Sequence, residues 1–264
     1  MTGALTIVGL GPALPHHATL EAAALLRDAA ARPEVRAYGL AHVRDVVAEI
    51  APGLQVRSLD YLYTLPAVPR PLAYRDLAEL LTRRAFEDGF EVVYVVAGSP
   101  LFINDAVLFI RRRCAEAGWP LRVVHGMSFV DLVLDRVYWT GHSGLQLYSA
   151  WNVARDGVTL RTDAPALLCQ LGEFTAGGDA LDTDGSTTML AELRDALLQA
   201  LPPAHPVLIL YSSGRPDYRS LGRVVALSEL AEQTVPVYSN LWVPSLDGPP
   251  LERELAPPSD GGAP

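Results

Sequence analysis

The chain contains no lysine, since all 21 of its basic residues are arginine. Without lysine there can be no Schiff-base lysine and no phosphate-binding lysine of the Walker type. The formal net charge of −9 also disfavours nonspecific binding of nucleic acid, which requires a basic surface. The sequence therefore excludes several common kinds of enzyme and indicates a partner other than nucleic acid.

Cysteine and long apolar runs are also scarce. The two cysteines, Cys114 and Cys169, are too few for a disulfide framework and lack the spacing of a metal site, so we expect no bound metal. The longest apolar runs have the length of strands, which predicts no membrane-spanning helix. The amino terminus lacks a basic region followed by an apolar core, so we expect no signal peptide and a cytoplasmic location.

The first part of the chain alternates strand and helix patterns. Thr19 is a predicted N-cap, and a second helix is expected to open at Asn104–Asp105. Buried strands are predicted at 5–9, 35–38, 91–97 and 121–124, with helical patterns at 20–31, 41–50, 72–88, 104–117 and 128–136. This alternation predicts an α/β domain with a parallel sheet and right-handed crossovers.

The pattern changes after about residue 138. Strand-like segments such as "PALLCQL" and "PVLILYS" then dominate, and only 186–201 is clearly helical. We therefore predict a parallel-sheet domain over 1–138 and a mixed, more antiparallel α/β domain over 139–246. The last stretch, 247–264, is rich in proline, glycine and charge and is expected to be a flexible tail.

Three strands of the first domain end in glycine-bearing turns, at Gly9–Pro12, Gly98–Pro100 and Gly126–Ser128. Glycine allows the backbone to approach a ligand closely and to adopt positive φ. In an open α/β sheet, ligands bind beyond the carboxyl ends of the strands. We therefore expect the three turns to line one ligand crevice, although each turn by itself could merely join a strand to a helix. A dinucleotide fingerprint is weak, because position 14 is leucine and no acidic residue follows in the ribose-binding place.

The segments around these turns resemble a known family. "TIVGLGPALPHHATLEAAALLRDA", "VVYVVAGSPLFIND" and "VVHGMSFVDLVL" resemble three successive motifs of the tetrapyrrole (corrin/porphyrin) methylases. The Ser-Phe pair of the third segment and the second half of the chain look closest to the branch fused to MazG-type pyrophosphohydrolases. The resemblance covers roughly residues 1–246, and the order and spacing of the motifs carry it.

This resemblance implies a two-domain enzyme, usually a homodimer, that binds S-adenosylmethionine (SAM) in a cleft between its halves. Gly11 and Pro12 would lie on the substrate side. The implied cofactor-binding residues are Ala97, Gly98, Ser99, Pro100, Phe102, Ile103, Ser128, Phe129, Gln170, Leu171, Tyr211 and Ser212. Three residues depart from the family pattern: Ala13 replaces a glycine, Ser99 replaces an acidic or amide residue or histidine, and His125 replaces a proline.

Candidate catalytic residues occur in "DYLYTLPAVPRPLAYRD". Tyr63, Arg70 and Tyr74 have a spacing similar to that of the borosin peptide N-methyltransferases, in which such groups polarise an amide. An amine or amide acceptor must lose a proton, so a polarising group is useful. The alternative is that these tyrosines pack at the domain edge with their hydroxyls in water.

The sequence thus favours a SAM-dependent methyltransferase whose acceptor is a tetrapyrrole, a peptide or another small molecule. A second hypothesis is a non-catalytic module that binds SAM or another metabolite and has lost turnover. A nucleotide-binding α/β protein is disfavoured by the absent lysine and the broken glycine pattern.

Overall fold

A computed structural model describes most of the chain. The described residues are 3–12, 15–64, 70–137, 139, 144–171, 187–211, 221–235, 239–248 and 251. The chain divides into two compact units, residues 1–131 and 132–264. The division falls within a helix, ahead of the boundary predicted after residue 138, and the exact domain limits stay a prediction. Most of the predicted tail lies outside the described residues.

The first unit contains a five-stranded sheet in which every pairing is parallel. Its strands are β1 (Ala4–Gly9), β2 (Arg36–Gly39), β3 (Val56–Ser58), β4 (Glu91–Val96) and β5 (Leu121–Val124). The strand order is β3-β2-β4-β1-β5, so the central strand β4 and its neighbour β1 are both flanked on each side. The predicted α/β fold with a parallel sheet is confirmed.

The helices that accompany this sheet begin largely where the sequence predicts. They are α1 (Leu20–Ala30), α2 (Ala41–Ile50), α3 (Tyr61–Thr64), α4 (Arg70–Thr82), α5 (Asp105–Ala117) and α6 (Phe129–Val137). The Thr19 hydroxyl accepts a hydrogen bond from the Ala22 N–H at 3.1 Å, and the Asn104 side chain accepts one from the Val107 N–H. The predicted N-cap at Thr19 and the predicted helix start at Asn104–Asp105 are therefore confirmed, because each side chain satisfies a backbone donor that the first helical turn leaves free.

The helices lie on both faces of the sheet. On one face, Ala22 of α1 and Val43 of α2 pack with Val8 and Val93 of the strands. On the other face, α4 and α5 pack against Ile7 and Tyr94 among other strand residues. Adjacent strand residues point to opposite faces, so both faces of a central strand are apolar, as a covered parallel sheet requires.

The second unit contains a mixed sheet. Its strands are β6 (Gln146–Ser149), β7 (Ala166–Cys169), β8 (Pro206–Tyr211), β9 (Leu221–Ala226) and β10 (Ser239–Val243). Their order is β6-β7-β10-β8-β9; β6 and β7 are parallel and the other pairs are antiparallel. Two helices, α7 (Ala150–Arg155) and α8 (Thr187–Leu197), pack with a 3-10 turn at Leu227–Glu232 against one face. The predicted mixed sheet is confirmed.

Some local structure differs from the sequence prediction. The predicted helix 72–88 ends as α4 at Thr82 and continues as a π-helical turn, in which the Asp88 N–H donates to the Arg83 carbonyl. Helices α3 and α7 were not predicted, because four and six residues are too few for a 3.6-residue pattern to repeat. Within the part of the chain that the structure describes, no helix is long and apolar enough to span a membrane.

Candidate functional site

The order of the first sheet creates a switch point between β1 and β4. The chain leaves β1 through α1 on one face of the sheet and leaves β4 through α5 on the other face. Helices that diverge from two adjacent parallel strands leave a crevice beyond the carboxyl ends of those strands, where open α/β sheets bind their ligands. The turns that follow β1 and β4 therefore lie where a ligand site is expected.

Gly11 and Gly98 join these two turns directly. The Gly11 N–H donates to the Gly98 carbonyl at 3.2 Å, and the Gly98 N–H donates to the Gly11 carbonyl at 2.9 Å. Both glycines have positive φ, +78° and +68°, a conformation that favours glycine over residues with a side chain. The first two turns, which we expected to lie near each other, are thus joined by two hydrogen bonds between their backbones.

Gly126 places the third turn against the same bridge. A Cβ atom on Gly126 would lie 2.5 Å from the Gly98 carbonyl oxygen and 2.9 Å from the Gly11 nitrogen. A Cβ on Gly9 would likewise meet the Pro100 ring and the Gly126 nitrogen within 2.8 Å. The three glycine-bearing turns therefore pack backbone to backbone, and we call this arrangement of Gly9, Gly11, Gly98 and Gly126 the glycine junction.

The loop from β4 to α5 has an open side and a strained residue. Among the residues that the structure describes, no atom would lie within 4 Å of a Cβ on Gly98, so these residues leave space next to this backbone. Ile103 has φ of +46° and is 39% exposed. A β-branched residue at positive φ is an outlier, and such strain concentrates at functional sites. Ala97 in the same loop is exposed, whereas Pro100 is buried in the junction.

Two predicted site residues, Phe102 and Phe129, bring this loop to the start of α6. Their ring centroids are 5.5 Å apart in an edge-to-face arrangement, which is favourable for aromatic pairs. Ser128 is the cap of α6: its hydroxyl accepts from the Val130 N–H, and its own N–H donates to the Asp131 carboxylate. The hydroxyl of Ser99 similarly accepts from the Leu101 N–H. Both serines therefore shape their turns through local bonds.

His17 lies next to the junction. A Cβ on Gly11 would be 2.5 Å from the His17 carbonyl oxygen and 2.7 Å from its Cβ, so His17 packs against the turn after β1. Partial burial lowers the pKa of His17, the neighbouring His16 lowers it further, and Asp131 opposes the shift. These effects together lower the pKa and so favour the neutral form of the imidazole.

Tyr63 and Tyr74, two of the three candidate catalytic residues, lie together. Their ring centroids are 5.9 Å apart with an interplanar angle of 63°, and both are half-buried against the core that includes Tyr94. Burial raises the pKa of Tyr94 well above its ordinary value, with smaller contributions from Tyr63 and Tyr74. Arg70 begins α4, but its side chain lies outside the described residues.

In the second unit, Gln170 and Leu171 follow the carboxyl end of β7. Gln170 has φ of +63°, and with Ile103 it forms the pair of non-glycine residues with positive φ in the described chain. The Gln170 N–H donates to the Asn240 side-chain oxygen at 3.3 Å, and the Leu171 N–H donates to the Ser239 carbonyl at 2.7 Å. Leu171 is buried and Gln170 half-buried.

The remaining predicted site residues are only partly described. Pro12 is half-buried beside Gly11. Tyr211 ends β8, but its side chain lies outside the described residues, as do all of Ala13 and Ser212. Asn240 was missed by the sequence interpretation; the available signal was a polar Ser-Asn pair inside the apolar segment "VPVYSNLWV". Nowhere in the described ranges do three or more His, Cys, Asp or Glu residues gather in a way that could hold a metal ion.

Solved structures with the same fold are methyltransferases by their descriptions. Uroporphyrin-III-C-methyltransferase from Thermus thermophilus is 20% identical with a TM-score of 0.59, and the match covers 93% of each chain. A cobalamin biosynthetic enzyme, cobalt precorrin-4 methyltransferase, is 16% identical with a TM-score of 0.59, covering 91% of this chain and 94% of that one. At these identities the likeness shows the fold alone.

Sequence comparison gives the family. No curated protein matches the chain in sequence. The model of a family described as Tetrapyrrole (Corrin/Porphyrin) Methylases matches residues 4–230, a span that includes the glycine junction, the tyrosine pair and the Gln170 turn. Because this match covers most of its length, the chain belongs to the tetrapyrrole (corrin/porphyrin) methylase family.

Proposed function

We propose that the protein is a methyltransferase that uses SAM as methyl donor. The observation that carries the proposal is the glycine junction at the switch point between β1 and β4, in a chain that belongs to a methylase family. The acceptor stays open among tetrapyrroles, peptides and other small molecules. Homodimeric assembly and a cytoplasmic location are part of the same proposal.

The residues at the junction fit such a cofactor. The described residues leave space beside the Gly98 backbone, and the loop around it is exposed at Ala97, Leu101 and Ile103. When bound, SAM would supply a methyl group on a positively charged sulfur: a bond from an acceptor atom to the methyl carbon forms as the carbon–sulfur bond breaks and the neutral thioether leaves. The proposed holders are the loop 97–103, Ser128 and Phe129, with Gln170, Leu171, Tyr211 and Ser212 contributed by the second unit.

The chain's own residues have a limited chemical task. They must align the acceptor, bring the reacting atoms to about 3–3.5 Å and exclude water. Gly11 and Pro12 are proposed to face the acceptor. The hydroxyls of Tyr63 and Tyr74, with Arg70, are proposed to polarise an acceptor N–H or carbonyl group, which eases loss of a proton. No covalent nucleophile is needed for a direct displacement.

Calorimetry with S-adenosylhomocysteine (SAH), the product form of the cofactor, tests the proposal without knowledge of the acceptor. We expect a dissociation constant of about 1 μM to tens of μM, near −8 kcal/mol at the tight end. Absence of both heat and thermal stabilisation with SAM and SAH would contradict the proposal.

Turnover separates an enzyme from a binding module. The protein is incubated with SAM and tetrapyrroles, peptides or cell extract, and mass spectrometry detects products that gain the mass of one methylene group. A methylated product supports the methyltransferase. Binding of SAH without any product in all of these mixtures would favour the non-catalytic module.

A further inference from the structure

The end of β7 contains an irregularity in its pairing with β10. These antiparallel strands pair Leu168 with Leu241 and Ala166 with Val243, and continuing that register would place Gln170 opposite Ser239. Instead, the N–H that donates to the Ser239 carbonyl is that of Leu171, at 2.7 Å. Gln170 and Leu171 therefore stand together opposite one residue, which is the arrangement of a β-bulge.

The backbone of Gln170 shows why this bulge needs support. The bulged residue has φ of +63°, a left-handed conformation that is comfortable for glycine and strained for a residue with a Cβ. Strained backbone persists only where its surroundings hold it. The bulge at Gln170 must therefore be fixed by neighbouring groups.

Asn240 supplies one such group from the adjacent strand. It is 4% exposed, and its side-chain oxygen accepts the Gln170 N–H at 3.3 Å. In a regular ladder this N–H would donate to a backbone carbonyl of β10, but the bulge moves the N–H out of that register. The buried side-chain oxygen at position 240 provides an acceptor for this partly buried N–H, which would otherwise lose hydrogen-bonding energy.

We propose that Asn240 is a positioning residue for cofactor binding. By accepting the Gln170 N–H it fixes the bulge, and so it sets the direction in which Gln170 and Leu171 present their carbonyl groups to the cofactor, since both N–H groups donate within the sheet. This inference rests on the proposed function, because it assigns these two residues to the cofactor site. The inference adds Asn240, which lies on β10 and affects the proposed cofactor site through the bulge.

Ser239 provides a matched control in the same strand. It is fully buried and alternates with Asn240, so its side chain points to the opposite face of the sheet, where Leu241 and Val243 join the core. Its contribution to the bulge comes from its backbone carbonyl. Replacing Ser239 with alanine therefore removes a buried polar group from β10 without removing the acceptor for Gln170.

The test measures SAH affinity by calorimetry and thermal stability for a set of full-length variants. We expect Asn240→Ala to weaken SAH binding about tenfold or more, whereas Ser239→Ala binds as the wild type does. Asn240→Asp keeps the acceptor oxygen and should recover most of the affinity. In Gln170→Gly/Asn240→Ala the affinity should return to within about threefold of that of Gln170→Gly, because glycine adopts positive φ without support.

Several results would overturn the inference. One is wild-type SAH affinity in Asn240→Ala, and another is a tenfold loss in that variant that Gln170→Gly fails to relieve. If Asn240→Ala does not fold, Gln170→Gly alone decides: relief of strain predicts a higher melting temperature, and a lower one contradicts the bulge argument. If the wild type binds no SAH, the proposed function is wrong, and so is the assignment of Gln170 and Leu171 to a cofactor site. A higher melting temperature of Gln170→Gly would still show that the bulge is strained.

Discussion

Gly98 and Gly118 have nearly the same backbone, with φ of +68° and +69°, and at both positions the described residues leave space where a Cβ atom would lie. Their positions differ in one respect that matters for function. Gly98 bridges to Gly11 at the glycine junction, whereas Gly118 ends α5 as a left-handed C-cap. Equal substitutions at the two positions therefore cause similar backbone strain but affect different sites.

The first prediction uses this pair. Gly98→Val and Gly118→Val should each lose about 1–2 kcal/mol of unfolding free energy, because each places a side chain in the left-handed region. Only Gly98→Val should abolish SAH binding, since its side chain would occupy the open side of the junction. Chemical denaturation and calorimetry measure the two effects. Equal SAH affinity in the two variants would show that the loop 97–103 is misassigned.

A second prediction concerns the packing of the three turns. In Gly126→Ala the new methyl group would meet the Gly98 carbonyl oxygen at 2.5 Å, so the backbones must separate. We expect a loss of about 1–3 kcal/mol of unfolding free energy, as for other overpacked sites, together with weaker SAH binding. Denaturation and calorimetry test this, and an unchanged variant would mean that the junction is looser than described.

A third prediction separates fold stability from the site. Thr19→Ala removes the cap of α1 and should cost about 1 kcal/mol of unfolding free energy. Thr19→Ser keeps a hydroxyl acceptor and should restore most of it. SAH affinity should be unchanged in both variants, because the cap serves the helix. Denaturation curves that do not distinguish Ala from Ser at this position would contradict the capping role.

The fourth prediction follows from the pKa of His17, which burial and His16 lower. Because the unfolded chain binds this proton more readily, stability should fall as pH drops through the ordinary histidine pKa toward the lower folded value. His17→Gln removes this penalty, so the stability of the variant relative to wild type should be greater at about pH 5 than at about pH 8. Denaturation at both pH values measures the difference, with His125→Gln, at an exposed position, as the control. A constant difference would refute the lowered pKa.

The fifth prediction tests the tyrosine pair once mass spectrometry has identified a methylated product. Tyr63→Phe and Tyr74→Phe keep the packed rings but remove the hydroxyls. We expect turnover to fall at least tenfold in one or both, within the range usual for loss of an acid or base group, with SAH affinity unchanged. Tyr148→Phe in the second unit is the control. Full turnover in both variants would show that the two tyrosines contribute only packing and that their hydroxyls take no part in the reaction.

Local signals in the sequence were sufficient for much of the fold. Thr19 and Asn104 each bond to an N–H three residues further along the chain, so such helix starts can be predicted from the local sequence. The glycine-bearing turns were also predictable, because they end apolar strands. The bridge between Gly11 and Gly98 needed one further inference, that parallel strands bring their carboxyl ends to the same edge of the sheet.

Long-range partners could not be predicted in the same way. The bond between Gln170 and Asn240 joins residues 70 positions apart, and it depends on a bulge that no local pattern specifies. The helix α3 around Tyr63 is too short for periodicity, and its tyrosine is recognisable as a partner of Tyr74 only once α4 is placed. The closer resemblances to the MazG-fused branch and to borosins stay predictions, because the family match is to the methylases as a whole.

Hydrogen–deuterium exchange with and without SAH measures most directly whether the junction holds the cofactor. We predict slower amide exchange in peptides covering 97–103 and 126–129 and in the peptide containing Gln170 and Leu171, with no change in α2, which packs beside β2 and β3. Protection confined to other segments, or none at saturating SAH, would contradict the account.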